Sequence, residues 1–235
     1  EGLALLNLST FEPEPVNLQE LERVHTPRYL EFLQTLRQRW SRQSEASDYP
    51  IPNVHALGRD SLPPPNYPDS VVGQVGWHFG DGSAPFGDGT LEAALASAAT
   101  AKHAAGLVAH GERLAYALCR PPGHHASADM AAGFCYFNNA AFAAAYLRSL
   151  GHRVAILDID VHHGNGTQAI FYSDPTVLTV SVHVDPARFY PFFWGYAHER
   201  GSGPGEGSNL NLPLARGTND FEILNAVDAA LDSVK

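Results

Sequence analysis

The sequence predicts an α/β fold built on a central, mainly parallel sheet. Two apolar runs, residues 154–159 and 177–182, flank a segment at residues 166–172 that can form a short helix. This order of strand, helix and strand is typical of parallel sheets that are covered on both faces. A length of 235 residues and a hydrophobic content of 44% suit a single domain, residues 1–235.

The first half of the chain predicts helices around a long loop. Residues 17–40 carry a helical apolar pattern that Pro27 interrupts, which predicts two helices with a joint. Residues 47–89 are rich in proline and glycine and predict one long irregular segment, whose aromatic residues favour an ordered, packed loop. Thr90 opens an alanine-rich helix that runs to about His110.

The second half adds strands and two more helices. Residues 114–118 form a short apolar run before a Pro-Pro-Gly turn, which predicts a strand. A second alanine-rich helix begins at Asn138 or Asn139 and closes at Gly151. Residues 219–235 predict a last helix whose first residue is the N-cap, with a glutamate three places on.

Composition excludes several classes of function. The net charge of -10 argues against a nucleic-acid partner, and it favours a cationic ligand only weakly, because negative charge more often serves solubility. No apolar run is long enough for a membrane span. Two cysteines cannot form a disulfide scaffold, so a reducing, cytoplasmic location is expected.

Histidines and aspartates gather after the predicted strand ends. His124 and His125 follow the first strand, the run at residues 158–163 follows the second, and His183 with Asp185 follows the third. Carboxyl ends of parallel strands meet at one edge of a sheet, where active sites form. We therefore expect these residues to share one rim.

The run at residues 158–163 predicts a metal site. In an extended segment, alternate side chains share a face, which groups Asp158, Asp160 and His162 and turns His163 away. Carboxylate oxygen and imidazole nitrogen are zinc ligands, so Asp160 and His162 are the candidates, with Asp158 deeper. A single Asp-x-His is commonly an accident of sequence, and the neighbouring histidine pair raises its weight.

The histidine pair suits proton transfer. A metal-bound water with a neutral histidine base is the usual apparatus for hydrolysing an amide or an ester. Ordinary loop hydrogen bonding is the alternative explanation for His124 and His125, and the nearby aspartates argue against it.

Three segments resemble the zinc-dependent histone deacetylase family: Arg-Pro-Pro-Gly-His-His-Ala at 120–126, Gly-Phe-Cys-Tyr-Phe-Asn-Asn-Ala at 133–140, and Asp-Ile-Asp-Val-His-His-Gly-Asn-Gly-Thr-Gln at 158–168. The motifs at 183–186 and 195–199 are most similar to those of bacterial acetylpolyamine amidohydrolases. The resemblance implies a three-layer α/β/α arginase-deacetylase fold. It also implies hydrolysis of small N-acetylated amines, such as acetylpolyamines, to acetate and free amine.

The resemblance assigns a role to each candidate residue. It makes Asp160 and His162 ligands of one Zn²⁺, with Fe²⁺ as an alternative metal. The implied catalytic set is His125 as general base, Asn165 as its support, and His124 paired with Asp158 as an electrostatic partner.

Substrate and structural sites are implied in the same way. Gly133 would accept the substrate amide through its carbonyl, and Phe134 and Tyr190 would line a narrow channel. A structural K⁺ is expected near Asp158, Ser181 and Val182, several of them contributing backbone oxygens. The family likeness also suggests a homodimer.

The sequence departs from the family pattern in two places. The family's third zinc ligand, an aspartate, and its transition-state tyrosine would belong to sequence beyond Lys235, so we expect this chain to be truncated at both ends. Polyamine deacetylases carry acidic loop residues where this chain has Val72 and Ser83, although Asp81 and Asp88 could substitute.

Three alternatives stay open at this point. An acetyl-lysine deacetylase of the same chemistry is the first of them. The second is an inactive member that only binds acetylated ligands, which retention of both histidines disfavours. The third is a dimanganese ureohydrolase, which is disfavoured because residues 158–162 lack the Asp-x-His-x-Asp order.

Overall fold

The fold consists of a small parallel sheet between layers of helices. The computed structural model describes residues 10–56, 58–59 and 61–234. Its elements are α1 (Leu18–Leu21), α2 (Pro27–Trp40), α3 (Val71–His78), α4 (Thr90–Ala109), α5 (Asn139–Ser149), β1 (Val154–Asp158), α6 (Asn165–Phe171), β2 (Val177–Val184), β3 (Asn209–Leu214) and α7 (Asp220–Ser233).

The three strands form a parallel sheet in the order β1-β2-β3. Side chains alternate across it as strand geometry requires. On one face, Val177 and Ile156 join the large core with the alanine-rich helices, while Val180 and Val182 on the other face pack with Ala230 of α7. The predicted three-layer α/β/α architecture is therefore confirmed.

Helix ends follow the predicted capping residues. The side chain of Asn138 accepts the Ala141 N–H at the start of α5. Asn219 and Glu222 form the reciprocal capping box of α7. The joint within residues 17–40 is confirmed, and Pro27 is the first residue of α2, where a missing N–H costs nothing.

The strand predicted at residues 114–118 is wrong. In the described part of the chain this segment has no strand partner, and its apolar side chains face outward, with Leu114 85% and Tyr116 81% exposed. An apolar run forms a strand only where another strand accepts its backbone hydrogen bonds, and pattern alone does not supply that partner. Consequently His124 does not follow a strand end.

Two further predictions need correction. β1 was expected to be buried on both faces, but it lies at the edge of the described sheet and is only half-buried; β2, which has a neighbour on each side, is the buried strand. The segment 47–89 is not wholly irregular, because it contains α3. Gly76 of α3 suits close packing, since a Cβ there would overlap the Val54 carbonyl.

The prediction of an ordered, packed loop is confirmed. The aromatic side chains of Trp77, Phe79 and Phe86 are all buried. Phe79 packs edge-on against Phe32, with ring centroids 5.9 Å apart, which attaches the loop to α2. Within the described ranges, no helix combines the length and apolar character needed to span a bilayer.

Acid should destabilise this fold through His25. Burial lowers its pKa from 6.5 to about 4, so the unfolded chain binds a proton between those pH values that the folded chain excludes. At about 1.4 kcal/mol per pKa unit, the free energy of unfolding should fall by roughly 3 kcal/mol as pH drops through this window. Urea denaturation at several pH values measures the loss.

The variant His25→Gln isolates this effect. Glutamine does not titrate and retains an acceptor for the Asn138 N–H, which donates to His25 Nε2 over 3.0 Å. We expect its unfolding free energy to depend less on pH, whereas the exposed control His152→Gln should behave like the parent. An unchanged pH dependence in His25→Gln would contradict the assignment.

Candidate active site

Asp158 connects the end of β1 to the histidine pair. Its Oδ2 accepts the Nδ1–H of His124 over 2.8 Å, and its Oδ1 accepts the Asp160 N–H over 3.0 Å. Gly164 lies directly beside it, and a Cβ there would overlap the carboxylate. The last residue of the strand thus holds both the histidine pair and the segment that follows.

Asp160 and His162 lie next to each other, but strand alternation does not bring them together. β1 ends at Asp158, so strand alternation does not extend through the run. Instead, Asp160 Oδ1 accepts the His162 N–H over 2.8 Å, repeating the turn that Asp158 makes with Asp160. Aspartate favours such local bonds to the backbone two residues on. The His162 Nδ1 then lies 3.1 Å from Asp160 Oδ1.

His125 lies next to this pair and is buried. Its Nδ1–H donates to Asn165 Oδ1 over 2.7 Å, which leaves Nε2 as the free acceptor. The His125 ring is 5.9 Å from that of His162 and 4.0 Å from that of His124, measured between centroids. Asn165 is the first residue of α6, so the helix start positions the histidine.

The surroundings of His124 and His125 shift the pKa values of the two rings in opposite directions. Burial, together with the charge of His124, lowers the pKa of His125 to about 4. Burial opposes charge on His124 as well, but its hydrogen bond and charge interaction with Asp158 outweigh that cost and raise its pKa above the ordinary value. At neutral pH, His125 is therefore an uncharged base beside a histidine that accepts charge more readily.

Gly133 and Tyr190 lie beside His125, and Phe134 follows Gly133 in the chain. The Tyr190 ring meets the His125 ring edge-on, with centroids 4.8 Å apart at 88°. Gly133 has a φ of +51°, and a Cβ on it would overlap the His125 ring and lie 2.9 Å from the Tyr190 hydroxyl. Phe134, also at positive φ, is 64% exposed. Gly133 and Tyr190 therefore form a wall beside His125.

The structure adds Phe189 to the site and gives Asp81 different partners from those expected. The Phe189 ring stacks on the His162 ring, with centroids 4.9 Å apart and an interplanar angle of 15°. In the sequence, the one hint of this position is that Phe189 precedes Tyr190. Asp81 accepts the Tyr190 hydroxyl over 2.6 Å and the Gly133 N–H over 3.1 Å. Asp88, the other acidic candidate, instead pairs with Arg37 on the surface.

His163 and His183 form a separate ring pair behind Asp158. Their rings pack together with centroids 4.6 Å apart, and both are buried. His183 Nε2–H donates to the Gly195 carbonyl over 2.8 Å, and Gly195 N–H donates to Glu199. His183 was expected on the shared rim, but its position within β2 turns it inward. His163 is separated from Asp160 and His162, as expected.

The donor set fits part of a zinc site. Two tetrahedral ligands at about 2.0–2.1 Å from zinc lie about 3.3 Å apart, close to the observed 3.1 Å between Asp160 Oδ1 and His162 Nδ1. In the part of the chain that the structure describes, no group of three or more His, Cys, Asp or Glu side chains is arranged to hold a metal. Asp160 and His162 therefore place two potential donor atoms close together.

The residues proposed for K⁺ also lie together. Asp158 at the end of β1 is aligned with Ser181 on β2, and Val182 follows it in the same strand. The Ser181 hydroxyl lies 2.8 Å from His183 Nδ1.

The family of this chain follows from its similarity to known proteins. The sequence matches the histone deacetylase domain over residues 2–235. The chain belongs to this family. It is 44% identical to the acetylpolyamine amidohydrolase of Burkholderia pseudomallei, over 95% of this chain and 64% of that protein. It therefore spans somewhat less than two thirds of the relative's length.

Solved structures agree with this assignment. The crystal structure of acetylpolyamine aminohydrolase from Burkholderia pseudomallei superposes with a TM-score of 0.93 at 43% identity, covering 98% of this chain and 66% of that one. A histone deacetylase homologue from Aquifex aeolicus gives a TM-score of 0.75 at 27% identity, covering 97% and 55%. The fold is therefore that of the arginase-deacetylase proteins.

The position of Gly133 yields a stability test. Replacement by alanine adds left-handed backbone strain of about 1–3 kcal/mol and a clash with His125 that costs about 1–3 kcal/mol more. Gly151→Ala is the matched control, because Gly151 has a φ of +87° but open space around it. We expect Gly133→Ala to lower the free energy of unfolding more than Gly151→Ala does. Equal losses in the two variants would contradict the expected clash with His125.

Proposed function

We propose that this protein is a metal-dependent amidohydrolase that releases acetate and a free amine from acetylpolyamines or similar small acetylated amines. One observation carries the proposal: an uncharged, buried His125, with Nε2 free, lies beside the converging Asp160 and His162 donors. The similarity to acetylpolyamine amidohydrolases supports this choice of substrate.

His125 is proposed as the general base. Its Nδ1–H is held by Asn165, so Nε2 takes the proton from the attacking water and later passes it to the leaving amine. His124, hydrogen-bonded to Asp158, would stabilise the negative charge that develops next to it. The low pKa of His125 keeps the base unprotonated at neutral pH.

Asp160 and His162 are proposed to hold the metal, Zn²⁺ or Fe²⁺. When bound, such a metal polarises the substrate carbonyl and acidifies a water molecule. Phe189, stacked on His162, restricts the orientation of that ring. A K⁺ held near Asp158, Ser181 and Val182 would have a structural role.

The wall residues are proposed to select slender substrates. Gly133 presents its backbone beside His125, and Phe134 and Tyr190 offer aromatic surface for an alkyl chain. An apolar channel with few polar groups favours an aliphatic acetylated amine. An acetyl-lysine side chain has the same slender form, so acetyl-lysine deacetylation is the alternative function. A cytoplasmic location and a homodimer remain proposals as well.

Paired substrates separate the two functions. We expect the whole protein, loaded with zinc, to hydrolyse N-acetylputrescine with a higher kcat/KM than an acetyl-lysine peptide. The reason is that a narrow channel along the wall residues would exclude the peptide backbone. Release of acetate measures both reactions. A higher kcat/KM on the peptide would overturn the choice of polyamine, and no release from either substrate would overturn the amidohydrolase proposal.

Substitution of the base tests the mechanism. His125→Ala should lower kcat by about 10²–10⁴-fold, since that is the usual contribution of a general base, while bound zinc stays at the parental level. Asp160→Ala should lose zinc, as measured by elemental analysis. The exposed histidine in His198→Ala is the control and should retain both properties. Parental turnover in His125→Ala would refute its role.

A further inference from the structure

Asp81 connects three segments that are distant in sequence. It lies in the loop between α3 and α4, and its carboxylate is half-buried. Oδ2 accepts the Tyr190 hydroxyl over 2.6 Å and the Gly133 N–H over 3.1 Å. Oδ1 accepts the Ser83 N–H over 2.8 Å. Hydrogen bonds to a carboxylate are shorter and stronger than those between neutral groups, so this is a firm connection.

The partners of Asp81 are the wall beside the base. Gly133 approaches the His125 ring so closely that a Cβ would overlap it. Tyr190 meets His125 edge-on and also contacts His162, with ring centroids 5.8 Å apart. Asp81 touches neither histidine, but it holds both groups that do.

Ring packing on His125 and His162 and a hydrogen bond to Asp81 fix the position of Tyr190. Its neighbour Phe192 is 48% exposed and its ring centroid lies 6.4 Å away. Among the described residues, Asp81 is the one hydrogen-bond partner found for the Tyr190 hydroxyl. Loss of that carboxylate would remove this hydrogen bond and leave the phenol held by its ring packing.

We propose that Asp81 is a positioning residue, which holds Tyr190 and the Gly133 backbone against His125 and so sets the geometry of the substrate wall. This inference rests on the proposed amidohydrolase function. Direct binding of a substrate ammonium is the competing role for this carboxylate. Occupation of both oxygens by protein donors disfavours it, because an ammonium would have to displace one of them.

Kinetics of a mutant cycle test the proposal. Asp81→Ala should lower kcat by about tenfold to a hundredfold, as small misplacements near reacting groups do, with KM for N-acetylputrescine nearly unchanged. Tyr190→Phe, which removes the hydroxyl alone, should cost less. The double variant should be no worse than Asp81→Ala, since the two changes break one connection. Asp88→Ala, a carboxylate of the same loop that pairs with Arg37, is the matched control and should retain parental kcat.

Substrate charge separates positioning from ammonium binding. N-butylacetamide resembles N-acetylputrescine but lacks the second amine. A positioning role lowers kcat on both compounds by the same factor in Asp81→Ala. A rise in KM confined to the charged substrate, or additive effects in the double variant, would overturn the proposal.

Hydrogen exchange at Gly133 gives a readout that does not need catalysis. The Gly133 amide should exchange slowly in the parent and in Tyr190→Phe, and much faster in Asp81→Ala. Asp81→Asn, which retains the side-chain volume but one carbonyl acceptor, is a milder second variant and should give an intermediate rate. Slow exchange in Asp81→Ala would overturn the inference, whether or not the protein hydrolyses acetylated amines. Inactive parental protein would overturn only the proposed function.

Discussion

The site depends on the hydrogen bonds that Asp158 makes at the end of β1. One oxygen holds His124, and the other begins the pair of turns that brings Asp160 to His162. Alignment with Ser181 on the buried strand β2 fixes the height of this carboxylate relative to the sheet. Gly164 leaves room for it. A single side chain thus transmits the position of the sheet to the histidine pair and to the candidate metal ligands.

Local surroundings make adjacent histidines chemically different. Burial disfavours charge on both rings. On His124 the interactions with Asp158 outweigh burial and raise the pKa, whereas on His125 burial and the charge of His124 outweigh the hydrogen bond to Asn165 and lower the pKa. Pairs of titratable groups whose environments separate their pKa values mark acid and base assignments. The proposed roles of His124 and His125 therefore follow from the surroundings of each ring, since the two residues are adjacent in the chain and of the same type.

Much of this was available from the sequence. The helices α4, α5 and α7 have clear periodicity and caps, and Asp158 through His163 are adjacent in the chain, so their proximity needed no fold. What failed depended on tertiary context. Residues 114–118 find no strand partner among the described residues, and α3 lies in a segment whose glycines allow close packing. The bond from Tyr190 to Asp81 joins residues 109 apart, and no local pattern encodes it.

The backbone hydrogen bonds of Gly195 bear on which neighbouring residues tolerate substitution. The Gly195 N–H donates to Glu199, and the Gly195 carbonyl accepts from His183. Backbone atoms therefore hold this segment in place, and the side chains of Phe193 and Trp194 take no part in these two bonds. Phe193 and Trp194 are 74% and 50% exposed. Surface substitutions cost little where no buried partner is lost. Randomised libraries at these two positions should therefore retain folded protein, so the surface of this segment can vary while its backbone stays in place.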